Sequence, residues 1–157
     1  MRPQLDSLAK RLRDEIIELE RLSARVMQAW ERAQRSGDDY YLDSVALNLH
    51  GFYSGLERIF LLIAEGLDNS VPQGDNWHQA LLLQMVQDTL PIRPAVISQE
   101  TLKNLGEYRG FRHVVRNVYT FRLDPAKLEH LIIRLPQVFN QVKAEVLAFA
   151  SFLEQAA

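Results

Sequence analysis

The chain has 157 residues, of which 47% are hydrophobic, and we expect residues 1–157 to form one domain with a sizeable core. Its formal net charge of −2 excludes a surface that binds polyanions everywhere, so any contact with nucleic acid requires a local basic patch. The absence of cysteine excludes disulfides and thiolate chemistry. Because we find no signal-peptide core and no membrane-length apolar run, we expect a cytoplasmic protein without membrane contact.

A long first helix is predicted from the start of the chain. Pro3 suits a first helical turn, and apolar residues then recur every three or four positions from Leu5 to Trp30. Gly37 is the expected C-terminal cap, because glycine adopts the left-handed conformation that ends many helices. A helix of about 33 residues would be about 50 Å long, which is typical of a bundle or of a helix that projects into a partner.

A second helix is predicted from about Tyr41 to Leu67, and its apolar belt is wide. A belt of this width indicates burial on more than one side, and a dimer contact is one way to provide it. Gly51 and Gly55 lie four residues apart, which indicates either a close approach of another helix or simple tolerance of glycine.

The middle of the chain is broken by turns and prolines. After the connector Asp68–Asn76, a short third helix is predicted from Trp77 to about Asp88, with Asp75 as its N-terminal cap. Two prolines within residues 89–94 end it, because proline removes a backbone donor and restricts the residue before it. Ser98 then caps a fourth helix, which we expect to reach about Thr120.

The last helix has the clearest start. Asp124 and Pro125 form an N-cap followed by a first-turn proline, and the apolar pattern continues to about Leu153. Pro136 lies inside this helix and is expected to kink it. Four long helices and one short helix, without any strand pattern, predict an all-α fold, an antiparallel up-and-down helical bundle.

One segment, Tyr108–Asp124, differs from the rest in charge, because it holds four arginines and no acid before its last residue. On a helix, Arg109, Arg112, His113 and Arg116 share one face. Like charges at this spacing repel each other by roughly 0.2–0.5 kcal/mol per pair. The face therefore meets either an anion or the acids of neighbouring helices. The candidate acids are Glu57, Glu65 and Glu107.

The sequence offers little support for a metal site, a nucleotide-binding loop or a nucleophilic serine. The histidines His50, His78, His113 and His130 are scattered without metal-ligand spacing, and we expect no metal and no cofactor. His50 and His78 are expected to pack or to form hydrogen bonds. No phosphate-binding glycine loop and no nucleophile elbow occurs.

The basic helix carries a motif. Arg112 is followed directly by the polar His113, and five positions later by Asn117 and then Tyr119. This region resembles the signature of HepT-like toxins in the HEPN ribonuclease superfamily, which has an arginine, a polar neighbour, a histidine four to six residues on, and a tyrosine. The sequence departs from that pattern at Asn117, where the family has its catalytic histidine.

The resemblance extends beyond the motif. The segment Tyr53–Phe60, which contains Glu57, and the later pair Trp77-His78 are similar to the second helix and following loop of HepT-like proteins. The resemblance covers most of the chain and implies a HEPN-like helical bundle.

The family implies a function. HepT-like toxins are metal-independent endoribonucleases that act at a homodimer cleft. The resemblance places Arg112, His113 and Asn117 at catalytic positions and Arg109 and Arg116 at the phosphate of an RNA, either tRNA or mRNA. The partner antitoxin is a nucleotidyltransferase that transfers AMP to the motif tyrosine, which is Tyr119 here.

Asn117 leaves several alternatives open, because asparagine cannot transfer a proton near neutral pH. One alternative is that the chain is a natural copy whose activity is lost or weakened, and another is that it is an engineered inactive form. In the third, His113, one helical turn earlier, takes over the proton transfer of the motif histidine. A second function is also open, in which the bundle is a non-catalytic binding partner or substrate-presenting subunit of a nucleotidyltransferase. The last alternative is a plain interaction bundle.

Overall fold

The computed structural model describes residues 2–117, 119 and 122–157. The α-helices are α1 (Arg2–Ser36), α2 (Tyr40–Ile63), α3 (Trp77–Met85), α4 (Gln99–Asn117) and α5 (Pro125–Ala156). Within the described residues there is no β-strand, and the β-type pairing is an isolated bridge between Thr89 and Arg93. The predicted all-α fold, with four long helices and one short one, is confirmed.

The four long helices form a ring in which α1 and α4 each pack against both α2 and α5. Neighbours in this ring run antiparallel. Arg13, near the start of α1, forms a 2.8 Å ion pair with Glu154 at the end of α5. The hydroxyl of Ser98, which precedes α4, donates to Glu145 in the second half of α5 at 2.9 Å. The predicted up-and-down bundle therefore matches the structure.

The core lies inside the ring, where the apolar stripes of α1, α2 and α5 meet. Gly55 shows how closely α1 and α2 approach, because a β-carbon there would lie 2.5 Å from the Cδ2 atom of Leu19. Of the two sequence interpretations of this glycine, close helix approach is the one that the structure supports.

The predicted ends of the first three helices are correct in part. Gly37 follows α1 with a φ of +69°, as expected for a C-terminal cap. α2 continues into a π-helical turn, Ala64–Asp68. The predicted cap of α3 is wrong, since the helix starts after Asn76 and neither that residue nor Asp75 caps its first turn. α3 also ends at Met85, three residues before the predicted Asp88.

A buried arginine holds the connection between α3 and α4. Arg93 is fully buried, and its guanidinium forms two hydrogen bonds of 2.7 and 2.8 Å with Asp68 at the end of the π-helical turn. It also donates to the carbonyl oxygens of Gln84, Gln87 and Pro94. Its five donors are thus all used, and the π-helical turn is fixed to the loop that leads into α4.

The starts of α4 and α5 agree with the sequence prediction. The hydroxyl of Ser98 accepts a hydrogen bond from the backbone of Thr101, and the carboxylate of Asp124 accepts one from Ala126. α4 ends at Asn117; residues 118 and 120 of its predicted extension lie outside the described residues. α5 continues past Pro136. No helix in the described part of the chain has the length and apolarity needed to cross a bilayer.

Candidate functional site

The rotation of α4 is fixed by its inward face. Tyr108 is buried and donates a 2.7 Å hydrogen bond to the carbonyl oxygen of Leu131 in α5. Phe111 is buried one turn later, and the ring of Tyr108 also makes an edge contact with Phe52 of α2. Because these contacts hold one side of α4 against the core, its cationic residues lie on an adjacent side, where the side chain of Arg112 is only 16% exposed beside Glu57 of α2.

The cationic side of α4 and the start of α3 enclose a cavity of about 540 Å³. The predicted site residues of α4 all line it: Arg109, Arg112, His113, Arg116 and Asn117. The rest of its lining comes from the connector and α3: Asp75, Asn76, His78 and Gln79. We call this the arginine cavity. The structure thus brings together the residues that the sequence placed on one helical face.

A buried carboxylate connects the arginine cavity to α2. The side chain of Glu57 is only 6% exposed, and its Oε2 atom lies 2.5 Å from Nδ1 of His78. Its other oxygen, Oε1, lies 3.7 Å from Nε of Arg112. One buried group therefore positions both a histidine and an arginine of the cavity.

His78 is held from three sides. Besides its contact with Glu57, its Nε2 atom lies 3.4 Å from Nη1 of Arg112. The ring of Trp77 lies over the imidazole, with the two ring centres 3.7 Å apart. The imidazole is thus fixed in orientation at the wall of the cavity.

Several buried polar atoms around the cavity have no hydrogen-bond partner within the described structure. They are His50 Nε2, Tyr53 Oη, Arg109 Nε and Arg112 Nε. An unsatisfied buried donor or acceptor costs roughly 1–3 kcal/mol, so such atoms are uncommon in native structures. Two of these atoms belong to α2 and two to the cationic face of α4.

The two orphaned α2 side chains are uncharged near neutral pH. Burial, together with the positive charges of Arg112 and Arg116, lowers the pKa of His50. Burial and the negative charge of Glu57 raise the pKa of Tyr53, against the opposing effect of the nearby arginines. Tyr53 therefore keeps its proton and remains a hydrogen-bond donor.

The motif residues at the end of α4 lie at the surface. His113, Arg116 and Asn117 are exposed, and the side-chain amide of Asn117 donates to the backbone carbonyl of His113 at 2.7 Å. Tyr119 lies just beyond the helix with 72% of its surface exposed. These positions are accessible to a macromolecule that approaches the cavity.

A second cavity, of about 510 Å³, lies on the other side of α4 and is lined mainly by apolar groups, including Phe111, Val114 and Leu123. It lacks the clustered arginines that an anionic substrate requires. Within the described residues, no three His, Asp or Glu side chains are grouped as metal ligands.

Sequence reasoning did not predict Glu57 and His78 as site residues. Glu57 appeared as a candidate partner for the arginines, and the structure does pair it with Arg112. His78 was expected to pack or form a hydrogen bond, which it does, but it also lines the cavity. The available signal was a carboxylate within the apolar belt of α2, since glutamate is rarely buried without a partner.

Comparison with known proteins supports the resemblance found in the sequence. A family profile described as HepT-like protein matches residues 44–153, which include most of α2, all of α3 and α4, and nearly all of α5. No curated protein and no solved structure matches the chain.

Proposed function

The chain belongs to the HepT-like family of the HEPN superfamily, and from this premise we propose that it is a toxin that cleaves RNA within a toxin–antitoxin pair. The observation that carries the proposal is the arginine cavity, where three guanidinium groups and the buried Glu57–His78 pair converge. Arginine suits phosphate because its planar fork of donors matches the phosphate oxygens.

The charge of the cavity supports an anionic substrate. Arg109, Arg112 and Arg116 outnumber the carboxylates of Glu57 and Asp75, although the whole chain carries a net charge of −2. The guanidinium groups of the three arginines that line the cavity offer N–H donors to phosphate oxygens. In a homodimer with facing cavities, the number of arginines in reach of one RNA doubles.

The proposed control of the toxin acts at Tyr119. A nucleotidyltransferase antitoxin transfers AMP from ATP to the phenolic oxygen of Tyr119. An oxygen–phosphorus bond forms, pyrophosphate leaves and the phenolic proton passes to solvent. The ring is 72% exposed, which the transferase requires. The added negative charge then competes with RNA for the arginines.

One observation favours the alternative of a non-catalytic binding partner. The amide of Asn117 stands at the motif-histidine position and donates to the carbonyl of its own helix. An amide transfers no proton near neutral pH, so this position supplies binding at most. Under this alternative the cavity holds an anion or a transferase surface without cutting RNA.

The decisive experiment measures RNA binding and cleavage together. We expect Arg112→Ala to weaken binding of labelled RNA by about 10-fold or more, because charge-assisted contacts contribute roughly 1.5–3 kcal/mol. Arg25→Ala, which changes an exposed arginine of α1, is the matched control and should bind normally. Asn117→His is expected to raise cleavage and growth toxicity.

The outcomes separate the two functions. RNA that is bound but left intact by both the unsubstituted protein and Asn117→His supports the binding-partner alternative. Absence of RNA binding at low salt refutes both the toxin proposal and any role of the cavity in RNA contact. Mass spectrometry after incubation with the transferase, ATP and Mg²⁺ tests Tyr119, and an adduct that persists in Tyr119→Phe refutes that assignment.

A further inference from the structure

We propose that His78 is the general base of this site and that Glu57 is its positioning residue, so that the imidazole missing at position 117 is supplied by α3. The inference rests on the proposed cleavage of RNA. It names a catalytic residue outside the motif, on a different helix from the one that carries the arginines.

The two neighbours of His78 select its tautomer. An ionised carboxylate only accepts hydrogen bonds, so the contact of Glu57 with Nδ1 requires the proton to be on Nδ1. A guanidinium only donates, so the 3.4 Å contact of Arg112 with Nε2 fits a lone pair on that nitrogen. Both contacts fit the same neutral imidazole, whose basic nitrogen is on the side of the cationic group.

Glu57 also holds this base in position. A carboxylate that accepts the Nδ1 proton stabilises the imidazolium that forms when Nε2 takes up a second proton. Because the side chain of Glu57 is 6% exposed, little water competes for that interaction. The ring of Trp77, stacked on the imidazole, keeps Nε2 from turning away.

The base lies next to the cation that the reaction needs. A phosphodiester and the 2′-hydroxyl that attacks it are neighbours on one ribose, so base and phosphate ligand must be adjacent. His78 Nε2 and Arg112 Nη1 are 3.4 Å apart, a long and therefore weak hydrogen bond. A phosphate oxygen readily replaces it as the partner of Arg112 and leaves the Nε2 lone pair for the hydroxyl.

The step balances with the groups present. His78 Nε2 takes the proton of the 2′-hydroxyl, and the 2′-oxygen forms a bond to phosphorus as the bond from phosphorus to the 5′-oxygen breaks. The leaving 5′-oxygen takes a proton from water, and His78 returns its proton to the hydroxide that remains. The products are a 2′,3′-cyclic phosphate and a 5′-hydroxyl, without any oxidant or reductant.

His113 and His130 are less suited to this role. His113 is exposed, and the contact of its ring within the described residues is the amide of Asn117 at 3.5 Å rather than a carboxylate. His130 does lie 3.2 Å from a carboxylate, that of Glu107, but both are exposed and they line the apolar cavity.

The test compares two histidine–glutamate pairs of the same chain. Under single-turnover conditions, we expect His78→Ala to slow RNA cleavage by about 100- to 10,000-fold, the usual contribution of a general base. RNA affinity should change by less than about threefold, since phosphate is held by arginine. His130→Ala is the matched control and should cleave at the unsubstituted rate. Added imidazole should restore part of the activity of His78→Ala.

A spectroscopic measurement tests the tautomer without measuring activity. Long-range ¹H–¹⁵N correlation should show His78 with its proton on Nδ1, and Glu57→Gln should change the nitrogen shifts of His78 while those of His130 stay the same. A proton found on Nε2 overturns the inference.

The kinetic outcomes distinguish this inference from the proposed function. RNA cleavage that is unchanged in His78→Ala overturns the role of His78 and leaves the ribonuclease function standing. RNA that the unsubstituted protein binds but never cuts overturns the ribonuclease function and the base together. Loss of cleavage in His78→Ala with imidazole rescue supports both.

Discussion

Removal of the carboxylate of Asp68 should destabilise the bundle strongly, because it leaves the guanidinium of Arg93 buried without its counter-ion. Arg93 is fully buried, and two of its five hydrogen bonds go to Asp68, at 2.7 and 2.8 Å. Breaking one side of such a buried pair costs about 3–5 kcal/mol. In a chain of this size, that corresponds to a melting temperature lower by roughly 6–20 °C.

The assay is thermal and urea unfolding of Asp68→Ala, followed by circular dichroism. Glu154→Ala is the matched control, since its ion pair with Arg13 is much more exposed and should contribute far less to the free energy of unfolding. The double variant Asp68→Leu/Arg93→Met should recover part of the loss, because an apolar pair removes the uncompensated charge. Three backbone carbonyl groups then lose their donor, so recovery should be incomplete.

Acid provides a second check with a defined sign. Burial alone raises the pKa of Asp68, but the hydrogen bonds from Arg93 and Gln84 outweigh it, and the pKa lies below its ordinary value. The contribution of this carboxylate to the free energy of unfolding is therefore complete above its pKa in the unfolded chain, about 3.9, and is lost as pH falls through its pKa in the folded protein. The stability gap between the unsubstituted protein and Asp68→Ala should narrow in that range. An Asp68→Ala protein within about 1 kcal/mol of the unsubstituted one at neutral pH would refute the reasoning.

Two further predictions concern α2. Gly55→Ala should destabilise the protein by about 1–2 kcal/mol, since the new methyl group meets Leu19. Gly106→Ala is the control; with open space around its β-carbon, it should be neutral or stabilise the protein by up to about 1 kcal/mol. Equal effects of the two substitutions in urea unfolding would contradict this. The pKa of His50 is lowered by burial and then by Arg112, so stability should decrease as pH falls from about 6.5 through the folded pKa. NMR titration should find a higher pKa for His50 in Arg112→Ala, and an unchanged value would contradict the assigned cause.

Local patterns in the sequence were sufficient for the fold and for one side of the site. The cap at Asp124 and the shared face of Arg109, Arg112 and Arg116 depend on residues within a few positions of one another, and both are found in the structure. The rotation of α4 that places this face toward α2 and α3 follows from its apolar side, on which Tyr108 is held against the core.

The contacts that complete the site join residues far apart in the chain. Glu57 and His78 are separated by 21 positions and a connector, and Asp68 and Arg93 by 25. No periodicity relates such positions, so the sequence alone gave no reason to assign His78 to the cavity. A glutamate inside the apolar belt of α2 indicated that some partner was needed, but it did not identify which one.

The end of α4 can change its chemistry without a penalty for the fold. His113, Arg116 and Asn117 are exposed, whereas the helix is anchored further back by Tyr108. Substitutions at these outer positions remove no core packing, so a single replacement there changes the charge and hydrogen bonding of the cavity rim without loosening the bundle. The chemistry of this rim is therefore adjustable independently of stability, and the tolerance that admits asparagine at position 117 would equally admit histidine.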